Sequence, residues 1–178
     1  MRKVILYIGA SLDGYIADSH GGVAWMNGWE EEDGADNGYE MFLRGIDTVL
    51  MGYRTYRQVV TELSPDRWVY EGLDTYVFTH KKEETTRRDI HFLDVSVSDL
   101  VQRLKKQPGK DIWLCGGAEL VEQCLQQDLV DEIHLTTIPI LLGRGIRLFP
   151  QINRPIHFRL VSSQVKNGMS ESIYRKRP

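Results

Sequence analysis

Cysteine is scarce in this chain: Cys115 and Cys124 are the only two among 178 residues. Two thiols cannot form the disulfide framework of a small secreted scaffold. They have no second pair and no histidine cluster nearby, which excludes the usual zinc spacing. The five histidines (His20, His80, His91, His134 and His157) form no HExxH or HxH pattern, so a histidine metal site has no support. Long apolar runs are missing as well. The run at the start, Val4 to Ile8, falls short of the roughly 18–20 residues of a membrane span. It is also shorter than the signal-peptide core of about 7–15 residues. There is no surplus of positive charge, since 22 basic against 25 acidic residues leave a net charge of −3. That balance argues against a general electrostatic grip on nucleic acid. Neither a GxSxG elbow nor a Walker A motif is present. The expectation is a reduced, cytoplasmic protein with one domain over residues 1–178 and no membrane or nucleic-acid partner.

What is present reads as an ordinary globular chain, 42% apolar and 26% charged, long enough to enclose a core. Short runs rich in β-branched and aromatic residues occur at Val4–Ile8, Thr48–Met51, Thr75–Thr79 and Ile112–Cys115. Each suits a buried strand. Between them lie helical spacings. Val97, Leu100, Val101 and Leu104 fall at i, i+3, i+4 and i+7, with Ser96 and Asp99 at capping-box spacing ahead of Pro108-Gly109. Leu120, Val121, Cys124 and Leu125 share another face. This alternation predicts an α/β fold with a largely parallel sheet. The last third differs. Asp131 to Leu142 is extended, and His157–Val165 and Met169–Tyr174 flank Asn167-Gly168, a dipeptide suited to a type I′ turn. An antiparallel hairpin therefore closes the sheet. The charge run from Lys81 to Glu84, with Arg87-Arg88, reads as a solvated loop.

Four places can carry chemistry. Cys115-Gly116-Gly117-Ala118-Glu119 lies between a strand and a helix, where amides attract anions and glycines let a phosphate approach the backbone. A plain tight turn is the simpler reading of that segment alone. Met51-Gly52-Tyr53-Arg54-Thr55-Tyr56 is a second such junction, in which Thr55 caps the helix or meets an anion beside Arg54. Two junctions at the carboxyl ends of different strands strengthen each other, because ligands of open α/β sheets collect along that edge. Ser11 to Ala17 follows the first strand and either tucks one Ile into the core or offers a small apolar surface. Gly143-Arg144-Gly145, with Arg147 beyond it, forms a flexible basic turn that meets an anion or stays a surface loop.

In this order the four pieces resemble the dihydrofolate reductase-like fold. The likeness is to the reductase domain at the carboxyl end of the riboflavin-biosynthesis deaminase/reductases. It is carried by SLDGYIAD, Trp25, MGYRTY, YVFTH, WLCGGAELV and IPILLGRGIRLF, from about residue 3 to 150. The resemblance implies an eight-stranded mixed, mostly parallel sheet flanked by helices, with NADPH as cofactor and NADH not excluded. It places Ala10 and Ile16 against the nicotinamide, and Gly52, Arg54 and Thr55 at phosphates of the adenosine half. Thr79 borders the adenine ribose, and Gly116, Gly117, Ala118, Glu119 and Leu120 hold the diphosphate. The position after Gly52 is commonly basic in such proteins, where it helps hold a 2′-phosphate, but here it is Tyr53. Arg54, His80, Lys81 or Lys82 can compensate.

Counting back sixteen positions from Gly52 lands on Asp36, the candidate proton donor by analogy, which equally suits a helix N-cap. The implied activity is NADPH-dependent reduction of a small heterocyclic or ribosylated metabolite, of the 5-amino-6-(5-phosphoribosylamino)uracil reductase type. Dihydrofolate reductase proper and a non-catalytic nucleotide sensor are the alternatives. A homodimer through the terminal strands is a further expectation of the resemblance.

Overall fold

The computed structural model describes residues 1–29 and 37–178. In chain order the strands are β1 (Val4–Ser11), β2 (Tyr15–Ala17), β3 (Ile46–Gly52), β4 (Asp74–Phe78), β5 (Ile90–Leu93), β6 (Asp111–Gly116), β7 (Glu132–Ile138), β8 (Ile146–Arg147), β9 (Phe158–Lys166) and β10 (Met169–Lys176). The helices are α1 (Asn37–Arg44), α2 (Tyr53–Gln58), α3 (Val97–Lys105) and α4 (Ala118–Gln126). A π-type turn, Val59–Leu63, extends α2.

The main sheet has the order β5-β4-β3-β6-β1-β7-β10-β9. Pairing is parallel from β5 to β7 and antiparallel for β7–β10 and β10–β9. Strands β1, β3 and β6 lie in the middle, covered on both faces, which is why their sequences are nearly continuous apolar runs. On one face Leu6, Leu50 and Leu114 pack against Leu100 and Leu104 of α3 and Val121 and Leu125 of α4. On the other, Ile5, Val49, Met51 and Trp113 pack against Tyr39 and Phe42 of α1 and Tyr53 and Tyr56 of α2.

Most sequence expectations for the elements hold, with instructive departures. Val97, Leu100, Val101 and Leu104 are all buried, as the helical spacing requires. Ser96 is the N-cap, yet its hydroxyl makes no capping hydrogen bond. Both Ser96 and Asp99 are exposed, and the first-turn amides that a capping box would serve lack the Ser96 acceptor. The extended stretch after Asp131 ends as a strand at Ile138, just before Pro139. Asn167 (φ 50°) and Gly168 (φ 75°) both take left-handed backbone, the pair of conformations a type I′ turn demands.

At the amino end of β7, Glu132 is buried and accepts hydrogen bonds from Lys3 Nζ (2.8 Å) and Arg175 Nε (2.9 Å), with His134 Nε2 3.3 Å away. These partners outweigh burial and hold its carboxyl below the usual range. His134 is shifted down as well, mainly by burial.

Candidate active site

A crevice opens between β1 and β6 toward their carboxyl ends. Their pairing stops at Leu6↔Leu114, whereas β1 stays paired with β7 as far as Ser11↔Ile138. Past the last rung, the Tyr7 carbonyl accepts the Trp113 indole N–H at 3.1 Å. The chain leaving β1 reaches α1 on one face, and β6 feeds α4 on the other. Such a topological switch point is where open α/β sheets bind ligands.

Both predicted glycine junctions border this crevice. Met51 is in register with Gly116. A Cβ on Gly52 would sit 3.8 Å from Gly117 N, and one on Gly117 would sit 3.3 Å from Thr55 Oγ1. Gly52 (φ −76°) and Gly117 (φ −80°) are the N-caps of α2 and α4. Neither backbone requires glycine; at Gly117 the missing side chain serves close approach to Thr55, whereas a Cβ on Gly52 would make ordinary contact. Gly116 differs, because its φ of +126° suits glycine alone; the Gly116–Gly117 peptide is cis.

Thr55 makes no capping hydrogen bond. Arg54 and Glu119 are exposed and approach each other at 3.6 Å across the two helix starts. Ala118 is half-buried. Leu120 is buried against the core, and its N–H donates to the Gly117 carbonyl at 3.1 Å. The structure therefore brings Gly52, Arg54, Thr55 and Gly116 through Leu120 to one edge.

Thr79 follows the end of β4, and its Oγ1 accepts the Lys81 N–H at 3.0 Å. Lys81 Nζ lies 4.7 Å over the Tyr53 ring, an arrangement favourable to a cation. The Tyr53 hydroxyl donates to the Glu83 carboxylate, which raises its pKa. His80 is engaged elsewhere, 2.6 Å from Asp94. Lys81 thus sets a basic group against Tyr53, the residue that follows Gly52.

The other side of the crevice is a two-loop clamp that sequence reading missed. Asp13 accepts hydrogen bonds from Ser11 Oγ (2.6 Å), Leu142 N (3.1 Å) and Gly143 N (2.7 Å). These bonds, the Ser11 hydroxyl first, hold its carboxyl below the usual range. Strands β2 and β8 pair across the same two loops. Gly145 has φ +152°, and a Cβ there would sit 2.2 Å from the Ala17 carbonyl oxygen. Tyr15 and Ala17 are buried, while Ile16 between them is half-exposed. Ile16, though only partly buried, still packs against the core side chains of that face, and Ala10 is buried. Arg147 stacks on Tyr15 at 4.9 Å, and Arg144 is exposed.

On the α1 face, the foot of the crevice is aromatic. Phe42 stacks on Tyr7 at 4.3 Å. Tyr39 lies 5.9 Å from Tyr7 and 6.0 Å from Trp113, bridging the two diverging strands. Tyr70 OH is 3.9 Å from Cys115 Sγ. Burial pushes the Cys115 thiol up to about 11 and the Tyr39 phenol to about 12, so both are neutral at physiological pH. Asp36 lies outside the described residues. Among the described residues no group of metal-ligating side chains occurs, and no helix is long and apolar enough to cross a membrane.

A mostly parallel sheet with an antiparallel C-terminal pair, opened beside two strand-to-helix junctions, defines the dihydrofolate reductase-like class. Within that class the chain belongs to the RibD C-terminal domain family, whose model matches residues 2–168. It is 38% identical over 161 residues to the Bacillus subtilis (strain 168) protein YwjB, covering 89% of each chain. It is 32% identical to YyaP of the same organism, covering 97% of this chain and 94% of that one. Among solved structures it is similar to a putative riboflavin biosynthesis protein from Shewanella sp. PV-4, with a TM-score of 0.86, 26% identity and 99% coverage of both chains. The fold also matches a Thermotoga maritima deaminase/5-amino-6-(5-phosphoribosylamino)uracil reductase, with a TM-score of 0.70 and 17% identity. That match covers 99% of this chain and 57% of the larger protein.

Proposed function

We propose that this protein is an NADPH-dependent reductase of a C=N bond in a small heterocyclic or ribosylated metabolite. The supporting observation is the crevice, bordered by the starts of α2 and α4, where backbone amides gather beside Gly52, Gly116 and Gly117. That cradle fits a dinucleotide diphosphate. Gly116 to Leu120 would hold the diphosphate, with Gly52, Arg54 and Thr55 at the phosphates of the adenosine half and Thr79 at the ribose. Ala10 and Ile16 would border the nicotinamide, the clamp at Asp13 fixing where Ile16 faces. When bound, the reduced nicotinamide supplies a hydride. Lys81 favours the 2′-phosphate form, because an ammonium held over Tyr53 recognises a dianion that NADH lacks.

The substrate class follows the family. The reduction of 5-amino-6-(5-phosphoribosylamino)uracil, for which the Thermotoga maritima protein is named, is the first to try. A homodimer fits the long edge strand β9, which exposes Leu160, Val161 and Val165. It also fits the neighbouring apolar cavity of about 710 Å³, lined by Leu125, Leu135, Phe158 and Tyr174.

Fluorescence titration with NADPH and NADH side by side tests the cofactor. NADPH should bind at least tenfold more tightly, and Lys81→Ala should erase about tenfold of that advantage while leaving NADH unchanged. Absence of saturable binding by either nucleotide overturns the proposal.

A further inference from the structure

We infer that the Tyr39 phenol donates the proton to the substrate nitrogen, resting on the reductase reading above. Three observations place it there. Its ring spans Tyr7 of β1 and Trp113 of β6, directly over the level where the two strands part. Among the described residues its hydroxyl has no hydrogen-bond partner, and the residue is only partly buried. Its neighbours leave it the accessible donor: the Tyr70 hydroxyl is turned to Cys115, and Trp113 N–H is spent on the Tyr7 carbonyl. Among the described residues the other titratable groups around it are the phenols of Tyr7 and Tyr70, the neutral Cys115 thiol on β6 and, beyond Phe42, His134 on β7.

The step balances without a further reactant. The ribosylamine ring first opens, its C1′–O4′ bond breaking as the glycosidic N–H proton passes to O4′ and leaving a C1′=N bond. The C=N carbon then accepts the hydride, the C=N π pair becomes a lone pair on nitrogen, and that nitrogen takes the Tyr39 proton. The product is a C–H and an N–H bond, and the phenolate left behind is reprotonated by water. A nitrogen gaining an electron pair becomes strongly basic, so a weak acid held beside it is a competent donor. The same hydroxyl would hydrogen-bond the C=N nitrogen of the bound substrate before reaction.

The test compares wild type with Tyr39→Phe, which keeps the ring and its packing. Three readouts are needed: NADPH affinity, binding of 5-amino-6-(5-phosphoribosylamino)uracil to cofactor-free protein, and turnover of that compound across pH 6–10. The expected result is NADPH affinity within twofold of wild type and pyrimidine binding weakened about tenfold. kcat should fall about 100-fold or more, and the wild-type pH profile should stay flat. Unchanged pyrimidine binding and turnover in Tyr39→Phe overturn the inference. So does a rate that decays through a carboxylate-like pKa and persists in the variant. Wild type that fails to bind NADPH overturns the reductase reading instead, and the pyrimidine contact is still measured without cofactor.

Discussion

Asp13 shows how one side chain does work that its sequence context conceals. Next to Gly14 it has the appearance of a turn residue, yet its carboxylate ties two loops about 130 positions apart in sequence. Asp13→Ala should lower NADPH affinity at least tenfold by releasing Ile16, measurable by fluorescence titration. Gly145 fails differently on substitution. Gly145→Ala would bring a methyl 2.2 Å from the Ala17 carbonyl oxygen, so thermal unfolding should show a loss of about 2 kcal/mol or more. His134 gives a pH signature. Its folded pKa lies below the ordinary 6.5, so below that pH the unfolded chain binds more protons than the native one. Stability is therefore full above pH 6.5 and is lost as pH falls toward the folded value. His134→Gln should flatten the urea-midpoint profile over that interval, and an unchanged profile would contradict the assignment. The Glu132–His134 contact is local, two residues apart on β7, but Lys3 and Arg175, which complete the cluster, come from distant parts of the chain.

At the scale of elements, Ser96 offers a test with a small expected answer. A working cap contributes about 1 kcal/mol, but the Ser96 hydroxyl bonds nothing in the first turn of α3. Ser96→Ala should therefore lower the unfolding free energy from urea titration by less than about 0.3 kcal/mol, and a loss near about 1 kcal/mol would restore the capping box. The strands β1, β3, β4 and β6 were legible because burial on both faces writes itself as short apolar runs. The hairpin was legible because Asn167-Gly168 has one preferred geometry. Strands β2 and β8 were not, since two or three residues carry no periodicity and pair only through distant loops. The glycine junctions could be read as anion sites, but the space between Gly52 and Gly117 needed the register of β3 on β6. Tyr39 gains its place only from the packing of α1 against β1 and β6, which no local pattern shows.

For the whole molecule, charge and edge matter more than their totals. A net charge of −3 coexists with Arg54 and Lys81 beside the same cleft, so the global sign was a poor guide to the local partner. The exposed β9 edge predicts a sedimenting species of twice the 20.5 kDa chain mass, which Val161→Lys should convert to monomer. The central claim is that the cradle where α4 begins beside the β1–β6 crevice binds a dinucleotide diphosphate. Ala118→Asp separates that claim from stability, because an acidic side chain in a first helical turn favours the helix while repelling an anion. The decisive measurement is an NADPH titration of wild type and Ala118→Asp at equal salt, with melting temperatures alongside. The account predicts at least a 100-fold loss of affinity without a fall in melting temperature. NADPH binding equal to wild type in a folded Ala118→Asp protein would contradict it.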